Sequence, residues 1–163
     1  MDLYIFRHGE TYHTKTNTKY GEDVYKAEIL PEAFPVTKRL AKYLEKINPD
    51  INFSSPYLRC RQTVEIISKV SGEDFIFDNR LSEYIVELET FTNFEARIKS
   101  FIDELYSKNL KNVAVCSHGY PIAALTEYAQ SGKITEENLP NYPPPGVLRF
   151  IKGKNLQSVS FRK

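Results

Sequence analysis

A short apolar stretch near the start of the chain ends in residues suited to phosphoryl chemistry. Leu3–Phe6 has the length and character of a buried strand, and Arg7, His8 and Gly9 follow it directly. Gly9 permits a sharp backbone turn at that point, and ligands of open α/β sheets bind at the carboxyl ends of strands. A guanidinium can hold a phosphoryl group through two parallel hydrogen bonds while an imidazole attacks it. The sequence therefore predicts a phosphoryl-transfer site at Arg7 and His8.

The same pattern returns later in the chain. Val113–Cys116 has the character of a central strand, and it leads into Ser117, His118 and Gly119. His8 and His118 are 110 residues apart in sequence. Two parallel strands at the centre of one sheet would still place both histidines at the same edge. We therefore expect the two imidazoles to lie side by side.

A third segment, 54–63, also follows a short strand and begins a helix. Arg59 and Thr63 are four residues apart, so they share one face of that helix. Because Arg59 is close to the helix start, we expect it to reach the same edge of the sheet as Arg7. A second guanidinium would then face the phosphoryl group.

The elements that must position these residues alternate between strands and helices, which is typical of a layered α/β fold. Hydrophobic periodicity predicts strands at 2–6, 51–53, 75–77, 113–116, 147–151 and 156–161, and helices at 36–47, 57–70, 92–108 and 121–130. Residues 9–34 are predicted as a long polar loop, and loops of that length are often functional. Residues 78–91 are predicted as a loop over the site.

Size and composition indicate one globular domain over residues 1–163. The chain has 22 basic and 21 acidic residues, a formal net charge of +1, which gives no support to a nucleic-acid or membrane-surface binder. No apolar run approaches the roughly 18 residues of a membrane span, and Arg7 interrupts the first one too early for a signal peptide. Two cysteines make no disulfide framework, so reduced thiols in the cytoplasm are expected.

Three segments together resemble the motifs of the histidine phosphatase superfamily, also called phosphoglycerate mutase-like. They are Arg7–Thr11, the segment from Ser54 through Arg59 to Glu65, and Ser117–Gly119 with Pro121. They occur in the family's order, and the resemblance covers residues 2 to about 130, with the final hairpin also compatible. It implies a three-layer α/β/α fold around a six-stranded, mixed, mostly parallel sheet.

The resemblance also assigns roles. His8 would be the nucleophile that forms a phosphohistidine, while Arg7, Arg59 and His118 would bind the phosphoryl oxygens. The implied activity is that of a metal-independent, histidine acid phosphatase-type phosphoric monoester hydrolase with no cofactor. Its partner would be a phosphorylated small molecule or a phosphoprotein.

Further contacts are expected from the turn after the first motif. Glu10 and Thr11 either contact the substrate or support the turn. Thr14 stands where the family often has an asparagine, and we expect it to contact phosphate weakly.

The family usually takes its general acid from a loop carboxylate in a Leu-x-Glu setting. Leu81 and Glu83 fit that setting, so Glu83 is the predicted acid, with Glu87 and Glu89 as alternatives. The alternatives stay open because the glycine- and tryptophan-containing sequence that usually follows the acid is absent. Residues 30–35 also replace the usual Thr-x-x-Gly turn, a difference that affects the scaffold rather than the chemistry.

Residues 84–92 are too few to hold the helical cap of larger members, and in this the chain is similar to the compact bacterial phosphohistidine phosphatases. An open site favours hydrolysis of a phosphohistidine over return transfer. Two alternatives remain, a phosphoglycerate mutase-type phosphotransferase and a non-catalytic phosphoryl-binding regulatory module. Sugar phosphates, nucleotides and phosphohistidine proteins all remain possible substrates, and loops 10–34 and 84–92 are expected to select among them.

Two groups of residues near the motifs have simpler interpretations. Cys60 and Cys116 are expected to be small buried packing residues, because their spacing with the histidines is unlike that of zinc sites. Tyr12, Tyr20 and Tyr25 either line a substrate entrance or pack the long loop.

Overall fold

The computed structural model describes residues 1–163. Six strands form one sheet in the spatial order β3-β2-β4-β1-β5-β6: β1 (Asp2–Arg7), β2 (Ile51–Ser54), β3 (Ile76–Phe77), β4 (Asn112–Ser117), β5 (Val147–Lys152) and β6 (Asn155–Ser160). β1 to β4 are mutually parallel, whereas β5 runs antiparallel to β1 and β6. The predicted six-stranded, mixed, mostly parallel sheet is therefore confirmed.

Five helices connect the strands: α1 (Tyr12–Thr16), α2 (Ala33–Ile47), α3 (Leu58–Ser71), α4 (Phe91–Tyr106) and α5 (Gly119–Ser131). α2 begins three residues before its predicted start at 36. Pro35 accordingly lies inside its first turn, where a backbone without an N–H loses no intrahelical hydrogen bond. No helix of the chain combines the length and apolar character needed to span a membrane.

The long loop predicted for 9–34 contains more structure than its polar composition suggests. Thr11 and Thr14 form a reciprocal capping box, in which the Thr14 N–H donates to Thr11 Oγ1 and the Thr11 N–H donates to Thr14 Oγ1. This exchange satisfies two backbone donors and begins α1. A single 3₁₀ turn, Gly21–Asp23, follows before α2.

Both faces of the sheet are buried, which explains why its central strands are continuously apolar rather than alternating. Leu3 and Ile5 of β1 pack with α4 and α5 on one face. Tyr4 and Phe6 of the same strand pack with α2 and α3 on the other. Helices therefore cover both faces, and the predicted three-layer α/β/α arrangement is confirmed.

The register of the central strands brings the chemical motifs to one edge of the sheet. Arg7 pairs with Ser117 at the ends of β1 and β4, and the His8 N–H donates to the Ser117 carbonyl at 3.1 Å. On the other side of β4, the Ser55 N–H donates to the Cys116 carbonyl at 2.9 Å. All three motifs thus leave the carboxyl edge of the sheet together.

Candidate active site

The two motif histidines are neighbours in a closed environment, as their strand positions predict. The ring centroids of His8 and His118 are 5.4 Å apart, and both residues are fully buried. The His8 ring is held by the turn that follows β1, and the His118 ring is held by Ser55, which follows β2. Two imidazoles this close can contact one small tetrahedral anion from adjacent sides.

Gly9 allows the first motif to pack tightly against α2 and α3. A Cβ atom at this position would lie 3.0 Å from the Ala33 Cβ, a tight contact that would require the neighbour to shift. The Gly9 N–H donates to Thr63 Oγ1 at 2.8 Å, and that hydroxyl donates in turn to the Arg59 carbonyl at 2.7 Å. Thr63 therefore links the turn that carries His8 to the helix that carries Arg59.

The tautomer of His8 follows from its hydrogen bonds. Its Nδ1 lies 2.8 Å from the Gly9 carbonyl, which can only accept, so Nδ1 carries the proton. Nε2 consequently keeps its lone pair, and it accepts a hydrogen bond from Arg59 Nε at 3.2 Å. Burial, followed by the charges of Arg59 and Arg7, holds the pKa of His8 well below its usual value. A neutral imidazole with a lone pair directed into the site is a competent nucleophile.

His118 is also held neutral, but by different contacts. Burial lowers its pKa well below the usual value, and Arg59 and His8 add to the effect. Its Nε2 lies 2.7 Å from Ser55 Oγ, while its Nδ1 is buried without a hydrogen-bond partner. When the Ser55 hydroxyl donates to Nε2, Nδ1 carries the proton and His118 becomes a donor toward the site.

The two arginines bring positive charge without any carboxylate partner. Arg59 is fully buried, and its Nη1 donates to the Val24 carbonyl. Neither Arg59 nor Arg7 forms a salt bridge within 4.0 Å of a carboxylate. Uncompensated guanidinium charges in a buried site are costly unless an anion binds there.

Unsatisfied hydrogen-bond donors concentrate at the same place. In the whole chain only four buried side-chain polar atoms have no partner, and three of them are Arg7 Nε, Arg59 Nη2 and His118 Nδ1. Buried polar groups in native proteins are nearly always satisfied. Three unpartnered nitrogen atoms on the motif residues Arg7, Arg59 and His118 therefore indicate a site suited to an anion with several oxygen acceptors.

Tyrosine rings cover the outer faces of both guanidinium groups. The Tyr142 ring lies 4.9 Å from Arg7 Cζ, and the Tyr20 ring lies 4.1 Å from Arg59 Cζ. The Tyr20 hydroxyl is 2.9 Å from Thr11 Oγ1, which fixes the ring over the arginine. Of the three loop tyrosines left open by the sequence, Tyr20 contacts the site, whereas Tyr12 is exposed.

Glu83, the predicted acid, lines the same cleft as Arg7. Burial raises the pKa of its carboxyl above the usual value, although Arg59, the Tyr84 N–H and Arg7 act in the opposite direction. The Tyr84 N–H donates to one carboxyl oxygen at 2.9 Å. A carboxyl with a raised pKa keeps its proton to higher pH and can donate it to a leaving group.

The two alternative carboxylates are placed differently. Glu89 forms a two-point salt bridge with Arg97, with atom separations of 2.7 and 2.8 Å, so its oxygens are already used. Glu87 is exposed at the outer part of the cleft. The geometry therefore favours Glu83 over both alternatives.

Arg97 is an important residue that the sequence analysis missed. Its Nη1 donates to the carbonyls of Arg80 and Ser82 at 2.7 and 2.8 Å, and its Nη2 donates to the Glu83 carbonyl at 3.2 Å. Together with the Glu89 salt bridge, these contacts fix the loop that carries Glu83 onto α4. Its position on a regular helix gives no local signal of this task.

The remaining predicted substrate contacts mainly support the turn after β1. The Thr11 and Thr14 hydroxyls belong to the capping box of α1, although Thr14 also lines the cleft. The Glu10 carbonyl accepts from the Leu30 N–H at 2.7 Å. The Glu10 side chain lines a separate cavity of about 360 Å³ that also contains Glu32. Substrate contacts by Glu10, Thr11 and Thr14 stay predictions.

The cysteines lie behind the histidines as buried free thiols. Cys60 Sγ is 3.6 Å from His118 Nε2, and burial raises the pKa of the Cys116 thiol well above its usual value. No three His, Cys, Asp or Glu side chains are arranged to hold one metal ion. These positions agree with a packing role for Cys60 and Cys116.

The site opens into a cleft of about 790 Å³, hereafter the cleft. Nine of its nineteen lining residues are tyrosines or aliphatic residues, and the lining consists of Arg7, His13, Thr14, Asn17–Glu22, Val24, Tyr25, Glu83–Leu88, Tyr120 and Tyr142. The predicted loops, 10–34 and 84–92, therefore do supply most of the surface beyond the phosphoryl-binding groups.

Comparison with known proteins agrees with this geometry. A Hydrogenobacter thermophilus protein that carries a provisional phosphoserine phosphatase name is 23% identical over 155 residues, covering 76% of this chain and 75% of its own. The protein histidine phosphatase SixA, solved with tungstate, superposes with a TM-score of 0.71 at 16% identity, over 99% of this chain and 97% of its own.

The fold is shared with a mutase as well. Phosphoglycerate mutase from Bacillus anthracis superposes with a TM-score of 0.71 at 17% identity, covering 98% of this chain and 92% of its own. The family model of the histidine phosphatase superfamily, branch 1, matches residues 3–88 and 83–147. The motif residues, the strand order and this match lead to one conclusion: the chain belongs to the histidine phosphatase superfamily.

Proposed function

We propose that the protein is a metal-independent phosphatase that hydrolyses phosphomonoesters or phosphohistidine through a covalent phosphohistidine on His8. The observation that carries this proposal is the group of three buried donors without partners, on Arg7, Arg59 and His118, around a neutral imidazole. A phosphoryl group would accept from all three donors while its phosphorus faces the lone pair of His8. The enzyme class that we propose for the protein is a histidine acid phosphatase-type phosphoric monoester hydrolase.

The first half-reaction transfers the phosphoryl group to the enzyme. His8 Nε2 forms a bond to phosphorus as the bond from phosphorus to the ester oxygen breaks. Glu83 gives its proton to that departing oxygen, and the alcohol leaves. The charge on the phosphoryl oxygens is stabilised by Arg7, Arg59 and His118, because such transfers depend mainly on positioned positive groups.

The second half-reaction restores the enzyme. Ionised Glu83 takes a proton from a water molecule as the water oxygen attacks the phosphorus, and the bond to His8 Nε2 breaks. The products are inorganic phosphate, neutral His8 and protonated Glu83. Gly9 accepts the hydrogen bond from Nδ1 throughout, so the ring keeps its orientation.

The shape of the site favours hydrolysis over a phosphoglycerate mutase-type return transfer. No helix lies between Leu81 and Phe91, so the loop beside the site carries no helical cap. The cleft is consequently open to water, which competes with return transfer. A complete set of Arg7, His8, Arg59 and His118 also argues against a non-catalytic phosphoryl-binding module.

The two free cysteines agree with a cytoplasmic location.

Trapping the intermediate tests the proposal. The enzyme is mixed with a radiolabelled phosphomonoester and denatured within milliseconds at alkaline pH, since a phosphohistidine is acid-labile. We expect label on the protein and its location at His8 by peptide mapping. His8→Ala should remove the label. His13→Ala changes the one histidine outside the two motifs and should keep the label. Phosphate release without any label on His8 would contradict the mechanism.

A further inference from the structure

We propose that the substrate's organic part is an uncharged aromatic group that binds against the tyrosines of the cleft. This inference rests on the proposed function, because it assumes that the phosphoryl group lies between the two histidines. It narrows the substrate class from phosphate esters in general to those with a flat, apolar, uncharged body.

Three tyrosines with neighbouring rings line the cleft and are hereafter the inner wall: Tyr84, which is mostly buried, Tyr120 and Tyr142. The ring centroids of Tyr84 and Tyr120 are 6.1 Å apart, and those of Tyr120 and Tyr142 are 5.8 Å apart. The wall begins at the phosphoryl site, because the Tyr142 ring lies against Arg7. A ligand held at Arg7 would meet aromatic rings directly beyond its phosphate.

A second group of lining residues, hereafter the outer wall, consists of Tyr20, Val24 and Tyr25. It also begins at the phosphoryl site, since the Tyr20 ring covers Arg59 and the Val24 carbonyl accepts from that guanidinium. Tyr25 is 54% exposed and stands at the mouth. Each wall therefore begins at one of the two phosphoryl-binding arginines, the inner wall at Arg7 and the outer wall at Arg59. Flat aromatic groups pack favourably against such rings, either offset or edge to face.

The loop after Glu83 extends this apolar surface outward. Val86 and Leu88 are 64% and 70% exposed, although both are aliphatic. Of the ten large hydrophobic side chains exposed on the protein, four line this one cleft: Tyr25, Val86, Leu88 and Tyr142. Single exposed hydrophobics are ordinary, whereas a concentration in one concave place marks a ligand site.

The charges of the cleft beyond the phosphoryl site do not favour a second anionic group on the substrate. Beyond Arg7 and the predicted acid, the lining carries Lys19 against Glu22 and Glu87. His13 lies 3.2 Å from Asp23 and is already hydrogen-bonded. With one lysine against two carboxylates, this part of the cleft offers no excess of positive charge to a carboxylate or a second phosphate. An uncharged organic group therefore suits it better than the second anionic group of a small polyanionic ester.

The size of the cleft also selects the kind of molecule. A volume of about 790 Å³ lies within the range of roughly 300–1,000 Å³ that small-molecule sites occupy. That space is far larger than a phosphate needs, and it is concave on both sides. A compact small molecule fills it better than the surface of a folded phosphoprotein.

Binding of stable phosphonates tests this inference without relying on turnover. Calorimetric titration compares methylphosphonate, phenethylphosphonate, cyclohexylethylphosphonate and carboxyethylphosphonate with the unmodified protein. We expect phenethylphosphonate to bind roughly tenfold tighter than methylphosphonate or better, and cyclohexylethylphosphonate to fall between them. Carboxyethylphosphonate should bind no tighter than methylphosphonate.

Lysines introduced inside and outside the cleft provide a matched pair of variants. The double variant Leu88→Lys and Val86→Lys should weaken the binding of phenethylphosphonate several-fold. It should strengthen the binding of carboxyethylphosphonate by a similar factor. The control variant Leu156→Lys replaces an exposed leucine on β6, outside the cleft. It should leave the affinities for both phosphonates unchanged. All three positions are exposed, so the variants should fold.

The outcomes separate the two proposals. If methylphosphonate and tungstate fail to bind, the phosphatase proposal is wrong and this inference falls with it. If methylphosphonate binds and the four affinities are equal, or carboxyethylphosphonate is tightest, only the inference about the organic group is overturned. Equal affinity for the phenyl and cyclohexyl compounds would contradict the aromatic preference.

Discussion

Arg59 Nε donates a hydrogen bond to His8 Nε2 at 3.2 Å, so a fully buried arginine engages the nitrogen that we propose attacks phosphorus. The contact requires a deprotonated Nε2, whose lone pair is directed at the Arg59 N–H. An arriving phosphoryl group offers the guanidinium better acceptors than a ring nitrogen, since charge-assisted bonds to phosphate are stronger. Substrate binding therefore frees the nucleophile as it neutralises the arginine.

The depressed histidine pKa predicts an unusual acid limb of the pH–rate profile. Because the pKa of His8 is well below its usual value, the nucleophile stays neutral at pH values where a free imidazole would be charged. The raised pKa of Glu83 moves the basic limb upward, because activity is lost only when that carboxyl ionises. We expect kcat/KM to stay high well below pH ~6.5, the value of an unperturbed histidine. An acid limb at that value would contradict a neutral, buried His8.

The same groups predict how stability depends on pH. The unfolded chain takes up protons on His8 and His118 near pH ~6.5, whereas the folded chain does not, so stability falls as the pH drops below that value. Each histidine contributes a slope of about 1.4 kcal/mol per pH unit between its folded and unfolded pKa values. The pKa of Glu83 is raised in the folded chain, so between its unfolded and folded pKa values this carboxyl contributes a slope of opposite sign. Urea unfolding between pH 5 and 7 should therefore give a positive net slope.

Replacing one histidine provides the control for that slope. His118→Asn removes one of the two histidine contributions and should lower the slope by about 1.4 kcal/mol per pH unit, whatever its effect on absolute stability. An unchanged slope in this variant would mean that the ring is not held neutral in the folded protein.

The position of the two histidines could be predicted because their signal is local. A buried strand that ends in an Arg-His-Gly or Ser-His-Gly turn defines where each ring leaves the sheet. The parallel pairing of β1 with β4 then places the rings together. The family match agrees with the fold that this pattern and the resemblance predicted.

The choice among Glu83, Glu87 and Glu89 could not be made from sequence. The three carboxylates lie within seven residues of one another in an irregular segment, with no periodicity to orient them. Only the tertiary contact with Arg97, a helix residue, separates Glu89 from Glu83. Similarly, Tyr142 lies within the proline-rich segment that leads to β5, and no local pattern places its ring over Arg7.

Replacing Glu83 tests its proposed role as the acid. Glu83→Gln keeps the shape of the side chain but cannot deliver a proton, so kcat/KM, which reports the transfer to His8, should fall by roughly 10²–10⁴-fold for alkyl phosphates. Aryl phosphates have acidic leaving groups that depart without a proton, so their kcat/KM should fall much less. The two substrate series are compared under steady-state conditions.

The comparison variant is Glu87→Gln, which removes a neighbouring exposed carboxylate. It should keep the wild-type dependence on leaving-group acidity. If Glu87→Gln showed the steep dependence and Glu83→Gln did not, the acid would be Glu87.

Arg97 should act as a positioning residue for Glu83, because it holds three carbonyls of the loop and neutralises Glu89. Arg97→Met leaves these acceptors without a donor and should cost about 1–3 kcal/mol of folding stability. It should lower kcat by tenfold or more while the affinity for inorganic phosphate changes little, because the phosphoryl-binding groups are untouched. The positive charge of Arg97 also lowers the pKa of Glu83. Its removal should therefore move the basic limb of the pH–rate profile upward.

The shift of that limb distinguishes positioning from simple loss of stability. Arg97→Lys retains the charge but cannot reach all the acceptors of the guanidinium, so it should lose kcat with a smaller shift of the basic limb. Glu89→Gln weakens the salt bridge and leaves the carbonyl contacts, so it should reduce kcat less than Arg97→Met does. A variant of Arg97 that unfolds more easily but keeps both kcat and the pH profile would show that α4 merely stabilises the loop. A fall in kcat accompanied by the upward shift would instead place Arg97 in control of the proton on Glu83.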